Sequence, residues 1–389
     1  MQPVLHQVNL SGSLGGAEVY TRSFTDALIA RGWRTRVYTR SDARFWSELR
    51  LPAAVAVPIE DPADLPAALP ERSFVVVHAP VPRPVLEALR PRVRLVGVAH
   101  QALYDESRPA YYELAHVLLA VSRHVADTLR RNGLTCIHGD PLYAVADPGH
   151  SEGAPRDRRA GEITRGPLCD WDGRKLRDRL AALAEPLVAR LRPARAFRRR
   201  PGVTLGIVSR IAPLKQFPAL FAEIAGAIVR QPAVTVEVFG SAVGYRALRD
   251  FRRAVRPLGG QVRLWGHQSD VAAVYRSIDF LLTGLPEREA LGLNVLEAQV
   301  CGTPVLAPRA PPFTETVVDG VTGFLFTDPR EDRGREFGAL LDRLVATGLR
   351  PDPRTAREHL ARFSFDAFAD RVAAAMRALT ETGLAAAAR

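Results

Sequence analysis

The chain has 389 residues, of which 47% are hydrophobic and 24% charged, and its formal net charge is +11. This length is too great for one ordinary core, so we expect two domains of about 150 to 200 residues, and the composition excludes a disordered chain. The cysteines Cys136, Cys169 and Cys301 are too far apart for a CxxC zinc site or a disulfide framework. The charge fits nucleic acid, an anionic membrane surface or phosphorylated substrates and does not choose among them.

No apolar run in the sequence approaches the ~20 residues of a membrane-spanning helix. The first residues, MQPVLHQVNLSG, lack the basic start and apolar region of a signal peptide. We therefore expect a cytoplasmic protein, and the positive charge leaves a peripheral position at the inner face of a membrane open.

The first predicted elements are a strand at Pro3 to Asn9, a loop with Gly15 and Gly16, and an amphipathic helix to Ala30. Glycine adds no side chain, so this backbone can approach a phosphate at the partly positive helix N-terminus. The loop is not a dinucleotide fingerprint, because Leu14 stands where G-x-G-x-x-G needs glycine. A tight structural turn is the simpler alternative for an isolated pair of glycines.

Further strand patterns alternate with helical ones. They lie at Thr35 to Thr39, Phe74 to His78, Val93 to His100 and Val117 to Val121. The alternation predicts an α/β domain with a parallel sheet and helices on both faces. His78 and His100 end two of these strands, and the strand ends are where such sheets carry their ligand sites. A structural role is an equally good alternative for either histidine.

The stretch 151–200 departs from this alternation and is rich in arginine. Leucines recur in it at helical spacing, at Leu176, Leu180, Leu183, Leu187 and Leu191. A basic amphipathic helix can lie on an anionic membrane, but Pro186 interrupts this one, and we prefer a linker helix with a solvated basic face. We accordingly expect a first domain over 1–150, this basic insert, and a second domain over 201–364.

The second domain is predicted to open with a strand at Val203 to Ser209, which Arg210 and Lys215 follow. Two cations after a first strand are well placed to neutralise a leaving diphosphate. Only two of the 53 cations are lysines, and a lysine ammonium is a compact charge suited to phosphate. As surface charges the pair would be unremarkable. Strands at Val234 to Phe239, Val262 to Trp265 and Ile278 to Leu282 are predicted beyond it.

The stretch Leu285 to Phe326 is typical of loop, helix, turn and strand, with Glu289 in the loop and Glu297 in the helix. On one helix, the two carboxylates would lie about 80° and roughly 12 Å apart and would not face each other. The spacing fits better if both approach one ligand and the N–H groups of Gly292 to Val295 bind an anion between them. A diphosphate is the natural anion, with Glu297 accepting ribose hydroxyls. The alternative is a capping box over Asn294 to Glu297.

The run EALGLNVLEAQVCGTPV, with Glu289 and Glu297 as an E-x7-E element, resembles the donor-sugar motif of retaining GT-B glycosyltransferases, specifically family 4. The match continues through Pro312 to Glu315 and Asp319 to Gly323. The resemblance implies an α/β GT-B fold, with two Rossmann-like domains that face a central cleft. The first would bind the acceptor and the second the nucleotide sugar, and a last helix at 365–385 would return to the first domain.

The resemblance also implies residue roles. The catalytic set would be Glu289, His100, Arg210 and Lys215, with Glu289 and His100 near the sugar. The donor-binding set would be Gly15, Gly16, Arg210, Lys215, Gly266, Gly292, Leu293, Asn294 and Glu297. In it the cations grip the phosphates, backbone at Gly266 contacts the base and Glu297 binds the ribose. Gln101 stands where the family often has Asp.

The implied reaction moves a hexose-type sugar, with retention, from a UDP-, GDP- or ADP-sugar to a hydroxyl of a glycan or lipid-linked acceptor. Cell-surface polysaccharide, lipopolysaccharide or glycolipid synthesis is the expected setting. Nothing resembles the DxD metal site of the other common transferase fold, so we expect no metal and no cofactor. An epimerase of nucleotide sugars shares the architecture and is the alternative. A basic module that binds nucleic acid is a remote one, suggested by charge alone, and we expect no such partner; the oligomeric state stays open.

Overall fold

The computed structural model of the chain describes residues 3–12, 14–43, 45–104, 108–146, 163–170 and 196–387. The chain divides into two compact units. One consists of Met1–Gly153 with Ala361–Arg389, and the other is Ala154–Leu360. The first unit is therefore built from both ends of the chain and the second from its middle.

The first unit contains a six-stranded sheet in which every strand pair is parallel. The strands are β1 Leu5–Asn9, β2 Thr35–Arg40, β3 Ala56–Ile59, β4 Phe74–Val77, β5 Arg94–Ala99 and β6 Val117–Ala120. Their order is β3-β2-β1-β4-β5-β6. The order reverses between β1 and β4, and sheets of this kind bind ligands in the crevice at the carboxyl ends of the strands beside such a reversal.

Seven α-helices are described in the first unit. They are Gly16–Ala30, Phe45–Glu48, Leu65–Ala68, Arg83–Leu89, Ala110–Leu114, Arg123–Arg131 and Phe365–Ala387, with a 3-10 turn at Pro62–Asp64. The last helix packs against the first through aromatic side chains, since the Phe368 ring lies 5.3 Å from Tyr20 and 6.5 Å from Phe24. Phe24 and Phe368 are fully buried, so this pair of helices lies in the core of the unit.

The second unit repeats the same sheet. Its strands are β7 Cys169–Asp170, β8 Val203–Val208, β9 Val234–Phe239, β10 Ala242–Val243, β11 Val262–Gly266, β12 Phe280–Leu282, β13 Val305–Pro308 and β14 Gly323–Phe326. Six of them form a parallel sheet in the order β11-β9-β8-β12-β13-β14, and β7 pairs only with β10. The reversal now lies between β8 and β12, so the loops after these two strands flank the crevice.

Helices connect the strands of the second unit. They are Phe217–Val229, Gly244–Val255, Val271–Ser277, Leu293–Val300, Phe313–Thr316, Pro329–Asp332, Arg335–Thr347 and Arg357–Ala361, with 3-10 segments at Pro213–Lys215, Arg256–Gln261 and Pro353–Thr355. None of the helices in the described part of the chain combines the length and the apolar character that a membrane span requires.

The predicted alternation of strands and helices is confirmed, with strand ends shifted by one or two residues. The strand predicted from Ile278 begins at Phe280, because Ile278 is the C-cap of the preceding helix. Two features were not predicted. Strand β3 contains Pro58, which lowers its strand signal but is tolerated at the edge of a sheet. The pairing of β7 with β10 joins two very short segments that are distant in sequence.

Parts of the stretch 151–200 pack within the second unit. The ring of Phe197 lies 5.3 Å from that of Trp265, and the Phe197 N–H donates to the Ile163 carbonyl at 2.7 Å. The guanidinium of Arg263 lies over the Phe197 and Trp265 rings and donates to the fully buried Glu237. The predicted leucine-rich helix at 176–191 lies outside the described residues.

A buried carboxylate, that of Asp279, stabilises the start of strand β8 in the six-stranded sheet of the second unit. Asp279 accepts from the Thr204 N–H at 2.9 Å, from Arg350 at 2.8 Å and from Arg199 at 2.5 Å. The carboxylate side chain is 8% exposed, so it depends on these donors for its solvation. It joins β8, the segment before β8 and the chain after the helix Arg335–Thr347.

We expect Asp279→Ala to lower the free energy of unfolding by about 2–4 kcal/mol, because a buried N–H and two guanidiniums lose their shared acceptor. Asp250→Ala is the matched control. Asp250 also pairs with two arginines, Arg249 and Arg246, but on the surface, so its loss should cost less than about 1 kcal/mol. Urea unfolding of both variants measures the difference, and equal losses would contradict the role of Asp279.

Candidate functional site

The loop after β8 carries the two predicted cations. Ile211 forms a bridge with Ala242, which fixes the start of the loop, and Lys215 ends the 3-10 turn Pro213–Lys215. The side chain of Arg210 is exposed and has no ion pair or hydrogen bond among the described residues. One cation at this edge of the sheet is therefore uncompensated.

Lys215 makes its contact across the strand reversal. Its ammonium donates to Oε2 of Glu289, which lies in the loop after β12, 74 residues away in sequence. The main chains of the two loops also meet, since the Leu285 N–H donates to the Lys215 carbonyl at 3.3 Å. A Cβ on Gly284 would lie 2.2 Å from that carbonyl oxygen, so only glycine fits there. Backbone packing and an ion pair thus hold the two loops together.

The helix Leu293–Val300 starts at the same edge. Its N-cap is Gly292, at φ 80°, a conformation that favours glycine. The side-chain amide of Asn294 donates to the Val208 carbonyl at the end of β8, at 3.2 Å. The first N–H groups of a helix lack partners in the preceding turn, and here they begin at Leu293. The Val295 N–H, which was predicted to bind the anion as well, instead donates to the Gly292 carbonyl at 2.9 Å. The capping-box alternative is wrong, because Gly292 and not Asn294 is the N-cap and no side chain caps the helix.

Glu297 is the second carboxylate of the motif. It lies on this helix, and its Oε2 accepts from the Tyr275 hydroxyl at 2.8 Å. Tyr275 comes from the helix Val271–Ser277 and is 1% exposed. Sequence reasoning missed Tyr275, because a phenol 22 residues before its partner leaves no spacing signal.

The residue after Lys215 is strained. Gln216 has φ 53°, in the left-handed region that costs a residue with a side chain about 1–3 kcal/mol. Its Nε2 atom is buried and has no hydrogen-bond partner among the described residues. An unpaired buried amide also costs free energy. The loop that presents Lys215 therefore carries two local costs that the sequence did not reveal.

Gly266 lies at the end of β11 against another stretch of backbone. It has φ 74°, and a Cβ there would lie 2.4 Å from the carbonyl oxygens of Gly166 and Pro167. Its own carbonyl accepts from the Gly240 N–H at 2.7 Å. Its glycine identity is therefore explained by close backbone packing within the second unit. A contact with a nucleotide base stays a prediction.

In the first unit, the helix after β1 begins at Gly16, with Gly15 as N-cap in an extended conformation. Gly15 has φ −160°, an extended conformation that any residue can adopt, so no left-handed turn explains a glycine at this position. A Cβ on Gly15 would lie 3.2 Å from the carboxylate of Glu18, which is buried near Asn9. The loop thus meets a buried carboxylate at the first turn of the helix.

His78 and His100 lie together after β4 and β5, with ring centroids 5.8 Å apart. His78 Nε2 bonds to the side-chain oxygen of Gln7 at 3.1 Å, while the His78 Nδ1 and His100 Nε2 atoms are buried and have no partner in the part of the chain that the structure describes. Burial lowers the pKa of His100 to about 3 and lowers the pKa of His78 well below its ordinary value. Both rings are therefore neutral at pH 7.

The structure brings most of the predicted site residues together within the second unit. Those around the β8–β12 reversal are Arg210, Lys215, Glu289, Gly292, Leu293, Asn294 and Glu297. Gly266 lies two strands from β8, at the end of β11. Gly15, Gly16 and His100 belong to the first unit. Over the described ranges, no group of three or more His, Cys, Asp or Glu side chains is placed to hold a metal ion.

Two family models match the chain. Residues 14–138 match "Glycosyltransferase Family 4", and residues 202–346 match "Glycosyl transferases group 1". The first match falls in the first unit and the second match in the second unit, and together they contain all of the predicted site residues.

Curated relatives carry the name D-inositol 3-phosphate glycosyltransferase. The one from Segniliparus rotundus is 34% identical over 189 residues, which cover 46% of this chain and 40% of the relative. The first relatives are thus matched over less than half of their own length. The one from Rhodococcus erythropolis is 28% identical over 407 residues, which cover 92% of this chain and 86% of the relative.

Solved structures resemble the whole chain. The Anabaena protein HepE in complex with UDP has a TM-score of 0.69 at 18% identity, and the match covers 97% of this chain and all of that one (100%). Sucrose-phosphate synthase from Thermosynechococcus elongatus has a TM-score of 0.64 at 16% identity, with 98% and 100% covered. These likenesses show the fold, and the predicted GT-B architecture of two parallel-sheet α/β domains is confirmed.

Replacing Gln216 by glycine should stabilise the protein by about 0.5–1 kcal/mol, because glycine adopts φ 53° without strain and leaves no buried amide. Arg333→Gly is the matched control, since Arg333 has φ 58° in the same unit and an exposed side chain. We expect a smaller gain there, measured by urea unfolding. A large loss of stability in Gln216→Gly would mean that its side chain supports the loop.

Acid should destabilise the first unit through His78 and His100, whose pKa values in the folded protein lie below the ordinary value. Below pH 6.5 the unfolded chain binds protons that the neutral rings of His78 and His100 do not, so each costs about 1.4 kcal/mol per pH unit until its folded pKa is reached. The free energy of unfolding of His100→Gln should therefore fall less steeply between pH 6 and 5 than that of the unaltered protein. Equal slopes would contradict a neutral His100.

Proposed function

Because the chain belongs to the glycosyl transferases of group 1 and family 4, we propose that it is a retaining glycosyltransferase acting on a nucleoside-diphosphate sugar. It would move a hexose-type sugar to a hydroxyl acceptor. Solved structures of HepE include complexes with UDP and with UDP-glucose, which supports a UDP-sugar as the first donor to test. GDP- and ADP-sugars are the other donors.

The contact of Lys215 with Glu289 is the observation that carries this proposal. It joins the loops after β8 and β12 at the strand reversal, where the N-terminus of the helix Leu293–Val300 also begins. A diphosphate at this edge would meet the exposed Arg210, the ammonium of Lys215 and the first N–H groups of the helix. Glu297 lies one turn inside the same helix, and we assign to it the hydroxyls of the attached ribose.

In the proposed reaction these groups stabilise charge that grows on the departing diphosphate. The acceptor hydroxyl attacks the face that the leaving group vacates, and the leaving phosphate takes the proton of that hydroxyl. Charge neutralisation is assigned to Arg210, Lys215 and backbone N–H groups, so the proposal requires no metal. Glu289 would orient the sugar, and a catalytic role for His100 in the first unit stays a proposal.

We propose two classes of acceptor. A cell-surface polysaccharide, lipopolysaccharide or glycolipid is the first, from the family's common activities. The names of the curated relatives add D-inositol 3-phosphate, a phosphorylated acceptor compatible with the net charge of +11. Both can be offered with UDP-glucose, and sugar transfer is read by the UDP released. Transfer that survives both Arg210→Ala and Lys215→Ala would overturn the phosphate assignment.

The ion pair of Lys215 with Glu289 predicts in which direction each substitution changes the affinity for a diphosphate. In Glu289→Gln, Lys215 loses its carboxylate partner and its full charge becomes available, so UDP should bind about three- to tenfold more tightly while transfer falls. In Lys215→Ala the carboxylate of Glu289 is left without its cation, and UDP should bind at least about tenfold more weakly. Calorimetric titration measures both affinities.

Glu287→Gln is the control for this prediction. It removes the same formal charge two residues earlier, but Glu287 pairs with Arg330 and not with Lys215, so UDP affinity should change by less than about twofold. Equal changes in UDP affinity for Glu289→Gln and Glu287→Gln would mean that the affinity depends only on the net charge of the protein. If none of UDP, GDP and ADP bound the unaltered protein, the proposed function itself would be wrong.

A further inference from the structure

Tyr275 is bonded through both its side chain and its main chain to the segment 293–303, which carries Glu297. Its hydroxyl donates to Glu297 Oε2 at 2.8 Å, and its main-chain carbonyl accepts from the Thr303 hydroxyl at 2.7 Å. The Thr303 N–H in turn donates to the Ala298 carbonyl at 2.8 Å, where the turn at Gly302 closes the helix Leu293–Val300. The helix Val271–Ser277 and the glutamate-bearing helix are thus joined around one tyrosine.

The burial of Tyr275 decides how it can act. At 1% exposure its ring belongs to the core that also contains Val274, Val295 and Ala298. A side chain this deeply buried does not reach a ligand in the crevice. Any effect on a ligand must therefore pass through Glu297, whose side chain is partly exposed on the same helix.

A glutamate side chain has three rotatable bonds, and a ligand that must fix them loses part of its binding free energy to the lost conformational entropy. A hydrogen bond already made in the free protein removes part of that cost. A phenol is a fitting donor for this purpose, because it holds a carboxylate without adding a charge that would compete for the ligand.

We infer that Tyr275 is a positioning residue that holds the Glu297 carboxylate in the orientation in which it accepts the ribose hydroxyls of the donor nucleotide. The inference rests on the proposed function, which assigns the ribose to Glu297. It adds a residue outside the E-x7-E element, and it predicts that the contribution of Tyr275 appears only with ligands that carry those hydroxyls.

The test is a calorimetric titration of the full chain with UDP and with 2′,3′-dideoxyuridine diphosphate, for the unaltered protein and for Tyr275→Phe. This substitution removes one oxygen and keeps the buried ring. UDP affinity should fall about three- to tenfold, because the ligand must then orient the Glu297 carboxylate itself, and the affinity of the dideoxy nucleotide by less than about twofold. In a Glu297→Ala background, Tyr275→Phe should have no further effect on UDP.

Thr303→Val is the matched control. It removes the hydrogen bond that the Thr303 hydroxyl donates to the main-chain carbonyl of Tyr275 and keeps the shape of the side chain, so it should lower the free energy of unfolding but leave UDP affinity within about twofold. A purely structural role for Tyr275 predicts a different pattern, in which Tyr275→Phe and Thr303→Val behave alike.

Equal losses for UDP and the dideoxy nucleotide, or no loss for either, would overturn the role of Tyr275 and leave the proposed function standing. If the unaltered protein binds GDP or ADP in place of UDP, the same comparison with the matching dideoxy nucleotide decides. Failure of all three nucleotides to bind would overturn the proposed function, and the inference with it.

Discussion

The reversal of strand order between β8 and β12 determines where chemistry can occur in the second unit. Neighbouring parallel strands whose connections leave in opposite directions open a crevice at their carboxyl ends, and no rearrangement of side chains can move it. The loops after these two strands are held by main-chain contact at Gly284 and by the Lys215–Glu289 pair. The helix Leu293–Val300 then begins at the same crevice, so cations, carboxylates and helix N–H groups converge without any loop having to be long.

The charges at this crevice are arranged unequally. Lys215 and Glu289 neutralise each other, while Arg210 has no ion-pair partner within the described part of the chain. An incoming diphosphate would therefore meet Arg210 first and compete with Glu289 for Lys215. The same competition would free the Glu289 carboxylate for the sugar, so phosphate binding and sugar orientation would be coupled through one ion pair.

Local patterns explain how much the sequence predicted. Alternating apolar runs predicted the parallel sheets, and the spacing of Glu289 and Glu297 correctly separated a loop carboxylate from a helix carboxylate. What escaped prediction depends on contacts between distant segments. The bond from Tyr275 to Glu297 and the pairing of β7 with β10 have no local pattern, and the strained φ of Gln216 belongs to the folded loop and not to its composition.

The aromatic contact of Phe368 with Tyr20 and Phe24 also affects the order of assembly during synthesis. The first unit needs a helix encoded after the entire second unit, so its core stays open while roughly 200 further residues leave the ribosome. At typical elongation rates that delay is about 10–40 s, far longer than helix or hairpin formation. The side of the helix Gly16–Ala30 that carries Tyr20 and Phe24 therefore stays uncovered during this time, and the second unit, continuous in sequence, is the part able to finish first.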